Sequence, residues 1–295
     1  EVIHQQNHTD TSPLFFIIIA VIIGALTRFI LQKSALPFTV ALLLIGFGLG
    51  ALGRINYFDI YEIGSSQIDL SFLDKSIQWA ANIDPHLLLY VFLPILIFEA
   101  AFAMDVHVFK KTFANATIMA VPGMLVAIVL SAAFVVGLNY FNIGLGKWNW
   151  TIALLFVAVI SATDPVAVVS ILKTLGASKK LGTLIEGESL LNDGTAIVIF
   201  MVIYLGLTGD GIDGSPIVEF FRVSFGGIAI GLLIGWIIIQ WIKKVFNDMF
   251  VEITAIIAAA YLTFFIAEHF FSVSGVLALV AFGLIMASYG RTKIS

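Results

Sequence analysis

The chain has 295 residues and no cysteine, which removes disulfides and thiolate metal sites. It is poor in charge. Asp, Glu, Lys and Arg together make up 12% of it, about half the roughly 25% of an ordinary soluble domain. The basic residues form no stripe that could follow a phosphate backbone, so nucleic acid is not an expected partner. Ser/Pro-rich linkers and low-complexity tracts are missing too, and the chain reads as one membrane domain. Hydrocarbon takes their place. Hydrophobic residues make up 60% of the sequence, which excludes a soluble globular protein and makes membrane lipid the solvent.

Apolar stretches long enough to cross a hydrocarbon core of roughly 30 Å recur along the whole length. Nine are expected, near 14–31, 37–53, 86–103, 114–140, 150–172, 181–207, 217–242, 249–269 and 272–289. The formal charge of −4 says little, but its distribution sets an orientation. With the N-terminus outside, the inner connections carry Lys33, Lys110, Lys111, Lys173, Lys179, Lys180, Lys243, Lys244, Arg291 and Lys293. The outer ones carry only Arg54, Lys75, Lys147 and Arg222. Ten against four follows the positive-inside rule at every span. Residues 1–13 then form an outer tail, with a glycosylation sequon at Asn7 to Thr9, and 14–295 a transmembrane domain. The acidic connection 54–85 suits an exposed outer loop. Because the chain opens without Met and ends directly after a span, it is expected to be part of a longer protein.

Within this apolar sequence, a few polar residues are expensive and therefore informative. In "ISATDPVAVV" the Asp164-Pro165 pair is a helix start set in the middle of a span, with Asp as N-cap and Pro at the first helical position. Pro165 has no amide hydrogen, so the carbonyl of Ser161 loses its usual donor, and two half-helices should meet at Ser161 to Asp164. In lipid, such a break is tolerated only beside protein or a water-filled cavity. Its free carbonyls and the Thr163 hydroxyl are oxygen ligands suited to a hard cation; a plain proline kink with a capping Asp is the other reading.

"IEGESLLNDGTAIVIF" lines the next span with oxygen. Glu188 and Asn192 are four apart on one face, and Ser189 and Asp193 form the row beside them. Asp193 lies roughly 20 Å of helix rise from Lys180, near mid-membrane. Asp164 approaches similar depth from the opposite direction. A buried carboxylate prefers its proton, whereas a bound cation favours the charged form, so the two compete for one group. That competition is the simplest physical basis for exchange. Glu188 is expected to order the site through an Arg that these spans do not supply.

With these residues in hand, the chain resembles the monovalent cation:proton antiporter superfamily, in its electroneutral sodium/proton exchanger branch. "SATDPVAV" and "GESLLNDGTA" carry the resemblance, and weaker similarity runs from "LPFTVALLLIG" to "SGVLALVAFG". It implies an all-α polytopic fold of inverted repeats, with an unwound crossing helix and about thirteen helices, of which nine are present here. It implies Asp193 as the ion- and proton-binding carboxylate, with Asp164 holding the sodium-like ion beside it. Thr163 and Asp164 belong to the unwound helix, Ser189 coordinates, and Glu188 is structural. Asn192 stands where electrogenic relatives carry a second Asp, which implies one-for-one exchange. "VFLPILIFEAAF" resembles an inhibitor-linked segment and brings in Phe92, Leu93, Pro94, Phe98 and Glu99, the last an acid of the inner funnel or of structure. The resemblance further implies a homodimer, a plasma-membrane location, elevator-like movement, no cofactor and no enzymatic activity. The second unwound helix is expected beyond residue 295, so these residues alone should not transport. Bacterial and plant salt-tolerance exchangers, or sperm-type ones, are the favoured relatives.

Two patterns stay open at this level. Gly227, Gly231 and Gly235 recur four apart, which fits packing inside one subunit and a dimer interface equally. Glu268 and His269 are either a pH-sensing pair or a solvated helix end.

Overall fold

The computed structural model describes residues 11–31, 36, 38–54, 61–63, 66–68, 71–141, 148–163, 165, 168–169, 171–172, 175–208, 215–244 and 249–290. The contacts divide the chain into two compact units, 1–88 and 89–295.

The first unit holds α1 (Ser12–Ile30), α2 (Phe38–Arg54), a short antiparallel pair of β1 (Tyr61–Ile63) and β2 (Ser66–Ile68), and α3 (Ser71–Ala81). α3 corrects the expectation of a simple exposed loop over 54–85. Its apolar residues fall at helical spacing, so it lays one face against its neighbours: Phe72 meets Phe15 edge-on at 4.7 Å and Trp79 meets Phe16 at 5.9 Å. The acids that suggested a loop include Asp74 in its first turn, where a negative charge suits the helix dipole.

The division between units falls within α4 (Pro85–Ala103). The second unit continues with α5 (Val106–Tyr140), α6 (Trp150–Ile160), α7 (Lys179–Thr208), α8 (Pro216–Ile242), α9 (Met249–Phe270) and α10 (Gly275–Gly290). Each of the nine expected spans holds a helix among the described residues, six of them long and apolar enough to cross a membrane and three shorter. α5 starts earlier than expected, so Lys110 and Lys111 sit in its first two turns. Asp105 explains that start, because its carboxylate accepts from the amides of His107 at 3.1 Å and Val108 at 3.2 Å. Asn149 starts α6 in the same way, accepting from Ile152 at 2.8 Å.

Two prolines widen the ladders they interrupt. Pro122 cannot donate to Ile118, and α5 passes through a π-helical turn at Met119–Gly123. Pro94 follows a similar turn at Leu88–Phe92 in α4, where the Tyr261 hydroxyl donates to the Val91 carbonyl at 2.7 Å.

α10 is the centre of this unit. It is buried along nearly its whole length and packs against α8, α4 and α9, with Leu279, Phe282 and Met286 fully enclosed. Glycines make that approach close: a Cβ at Gly227 or Gly231 would overlap the backbone oxygens of Ser274 and Ala278. The glycine pattern therefore serves packing of α8 on α10 within one chain. A second cluster joins α5, α6 and α7 through Ile128, Val157 and Ile199. α7 contributes to both clusters, Leu190 to the first and Ala196 to the second, and so runs between the two cores.

Candidate ion site

α6 ends where the sequence requires. The Ser161 amide still donates to Val157 at 2.9 Å, and its hydroxyl donates to the same carbonyl at 2.7 Å. Then the helix stops. Ala162 and Thr163 are non-helical, and the ladder resumes only beyond Pro165, whose carbonyl accepts from the Val169 amide at 2.8 Å. Asp164, on which the N-cap and cation-ligand expectations fall, lies outside the described residues.

α7 supplies what the break lacks. The Asn192 side-chain amide donates to the Ser161 carbonyl at 3.3 Å and to the Thr163 hydroxyl at 3.2 Å. That carbonyl is the one left without a donor by Pro165. One turn away, the Ser189 hydroxyl donates to the Thr163 carbonyl at 2.5 Å. Both α7 side chains are 4% exposed, so these bonds form away from water and are correspondingly costly to break.

The site residues thus divide by role. Ser161, Thr163, Ser189 and Asn192 come together in one hydrogen-bonded group, with Pro165 at its edge. Glu188 joins it weakly, its Oε1 accepting from Asn192 at 3.5 Å. Asp193 follows Asn192 on α7 and is half-buried. The carboxamide oxygen of Asn192 is buried and meets no donor among the described residues. A buried acceptor without a donor is a place for a cation or a water. Where the sequence placed Asn192 simply among the ligands, the structure gives its two ends different partners: nitrogen to the broken helix, oxygen available.

The α4 segment lies apart from this group. Pro94 and Phe98 are buried in the core, with Phe98 stacked on Phe102 at 5.5 Å and tilted on Phe282 at 5.6 Å. Leu93 packs at the edge of that core, while Phe92 and Glu99 are exposed.

Three interactions were not legible in the sequence. Glu268 accepts from the Gly275 amide at 2.9 Å and so caps α10, while His269 stacks on Phe265 at 5.0 Å. Glu268 is therefore a capping group and not the partner of His269. Arg222 binds Glu219 through two nitrogens, at 2.9 and 2.6 Å, and reaches the Ser272 carbonyl at 3.2 Å. Lys179 pairs with Asp105 at 2.6 Å across 74 residues of sequence. The Lys179 ammonium first, and the Val108 amide after it, hold the Asp105 carboxyl below the usual range. Two of these had a signal: Asp105 stands immediately before a helix, and Glu219 and Arg222 are three apart on one helix.

Comparison with known proteins gives concordant results. Residues 17–295 match a family described as sodium/hydrogen exchanger, transmembrane. Sodium/hydrogen exchanger 7 of Arabidopsis thaliana is 40% identical over 98% of this chain, which covers 24% of that protein. The Na(+)/H(+) antiporter NhaH of Halobacillus aidingensis is 31% identical over 97% of this chain and 66% of its own length. The chain therefore spans about a quarter of that plant relative and about two thirds of the bacterial one. The solved structure of the sodium proton antiporter MjNhaP1 from Methanocaldococcus jannaschii aligns with a TM-score of 0.73 at 21% identity, over 96% of this chain and 64% of that one. The two share a fold.

Proposed function

Since the chain belongs to the sodium/hydrogen exchanger family, we propose that it carries the ion-binding half of an antiporter that exchanges sodium or lithium for protons. The observation that supports this most is the tie between the broken helix and α7. In an apolar bundle, a proline-interrupted helix exposes backbone and hydroxyl oxygen at Ser161 and Thr163, and Asn192 and Ser189 hold it beside Asp193. Oxygen ligands at a helix break, next to a carboxylate, form a site that a dehydrated monovalent cation can enter. Asp193 takes either the cation or a proton, and Asp164 serves as the second carboxylate across the break. With Asn192 neutral, one site carboxylate fewer titrates than in an Asp-Asp arrangement, and exchange is one for one. It acts as a transporter and not as an enzyme, with no resident cofactor.

The site sits between two packed cores, which suits movement of α6 and α7 as one body in an elevator-type cycle. The excess of basic residues in alternate connections supports an N-terminus outside; in this reading the protein works at the plasma membrane, as a homodimer, in pH and salt homeostasis. Potassium/proton exchange is the alternative, because size selectivity depends on sub-ångström ligand geometry.

The test uses the full-length protein in proteoliposomes with an imposed pH gradient. Collapse on adding sodium or lithium, insensitive to membrane potential and absent in Asp193→Asn, is the expected result. Collapse by potassium alone would favour the alternative. No cation-dependent collapse in an intact, folded protein would overturn the antiporter reading in favour of a membrane sensor or scaffold.

A further inference from the structure

A cavity of about 300 Å³ lies within the first unit, between α1, α2 and α3. Its walls are hydrocarbon, with Phe16 and Ile23 from α1, Leu42 and Leu49 from α2 and Ile77 from α3. Ser76 is the one polar side chain that lines it, and its hydroxyl is already spent on the Phe72 carbonyl of its own helix, at 2.7 Å. Two small residues make the room. Ala20 faces the space from α1, and Gly46 faces it from α2, where a Cβ would have no atom within 4 Å. Both are exposed, so the space reaches the surface of the unit.

α3 closes one end of this space. Its Phe72 and Trp79 rest on Phe15 and Phe16 at the start of α1, and a Cβ at Gly53, at the end of α2, would lie 3.1 Å from Ile77. An amphipathic helix set across the ends of two apolar ones belongs at the membrane surface, apolar face down. That end also carries positive charge. Arg54 directly follows Gly53, Lys75 directly precedes Ser76, and both are exposed. Asp74 is taken up within the unit, one carboxylate oxygen accepting from Gln78 at 2.6 Å and the other buried.

We propose that this cavity binds one acyl chain of a membrane phospholipid, with the lipid phosphate held at Arg54 and Lys75. Water finds no hydrogen-bond partner between these walls, so the space takes hydrocarbon. An apolar cavity of about 150 Å³ accepts a benzene ring, and twice that volume accepts about twelve carbons of a chain. The bilayer supplies such chains along α1, which is long and apolar enough to cross it. The basic residues at the surface end favour a phosphate over a neutral headgroup. The chain then acts as a wedge, filling the gap between α1 and α2 where α1 packs mainly on α3. This site needs only that the protein spans a membrane and is independent of the exchange reaction.

The test uses the full-length protein, extracted in a sterol-based detergent whose rigid tail does not fit a chain-shaped cleft. Phospholipid retained after washing is counted by native mass spectrometry. Gly46→Leu fills the space from α2 and is expected to retain about one phospholipid per chain fewer than the native protein. Gly48→Leu, which also has open room for its side chain but does not line the cavity, should match the native count. Dioleoylphosphatidylglycerol added back to stripped protein should raise the unfolding midpoint of the native protein and of Gly48→Leu, and leave Gly46→Leu unmoved. Arg54→Gln and Lys75→Gln are each expected to raise the half-maximal lipid concentration for that rise about fivefold. Equal retention in the native protein and Gly46→Leu overturns the site, and if Gly46→Leu then also breaks self-association, a second copy covers this face instead. An unchanged half-maximal concentration in both basic variants overturns the phosphate contact. Should Gly46→Leu fail to fold, Ala20→Leu adds bulk from the facing wall and is read in the same way.

Discussion

Replacing Gly231 by alanine puts the packing of α8 on α10 to a direct test. A Cβ at that position would overlap the Ala278 backbone oxygen, an atom that cannot rotate away as a side chain can. The helices must part by about 1 Å, and a gap of that size forfeits a quarter to a half of each van der Waals contact across the seam. A buried side chain makes some 40–60 contacts of about 0.1–0.2 kcal/mol, so each side chain facing the gap loses about 1 kcal/mol. Val273, Phe282 and Ile285 meet the glycines of α8, and Ile230 packs beside Ala278. The sum is about 3–5 kcal/mol, against about 1 kcal/mol gained from the better helix propensity of alanine. Gly48→Ala is the control, because nothing lies within 4 Å of a Cβ there. In detergent, thermal unfolding of the full-length protein should show Gly231→Ala losing several degrees while Gly48→Ala stays level or gains slightly. Equal midpoints for the two would refute the close approach. A Gly231→Ala protein that keeps its midpoint but dissociates from dimer to monomer would restore the dimer-interface reading of the glycines.

Other expectations follow from the same contacts. Ser189→Ala, which removes the hydroxyl bonded to the Thr163 carbonyl, should cost about 1–3 kcal/mol locally and speed amide hydrogen exchange in 161–172 more than in α10; uniform acceleration everywhere would count against a local tie. Tyr261→Phe deletes the bond to the Val91 carbonyl and should cost about 0.5–1.5 kcal/mol, read as a lower unfolding midpoint with transport retained. Because the Asp105 carboxyl is held below its ordinary value, its pairing is fully present above the unfolded value of about 3.9 and is lost as pH falls through the lower folded value. The midpoint difference between native protein and Asp105→Asn should therefore be small at neutral pH and vanish in acid; a difference that grows in acid would contradict the pairing.

The nine apolar stretches and the interruption at Pro165 were legible because each rests on a local cause: a run of hydrocarbon long enough for a bilayer, and a residue with no amide hydrogen. Ser161 shows how far such reasoning reaches. Its carbonyl can be named as an orphan from sequence, but the donor that satisfies it, Asn192, is 31 residues away and depends on how two helices meet. α3 was missed because its acids and the turn-rich residues before it resemble a loop, while its apolar face has meaning only against α1 and α2. Glu268 stayed open for a similar reason: its sequence neighbour is His269, whereas its partner is an amide across a turn.

What the sequence determined alone is the solvent, the helical spans, the break and the set of polar residues worth placing in lipid. These follow from composition, from spacing and from the covalent peculiarity of proline. Tertiary structure decided which glycine face meets which helix, which end of Asn192 binds the break and which is left open, and that Lys179 meets Asp105. Each of those depends on contacts between residues distant in the chain, where the free energy is set by fit and burial and no local pattern records the partner.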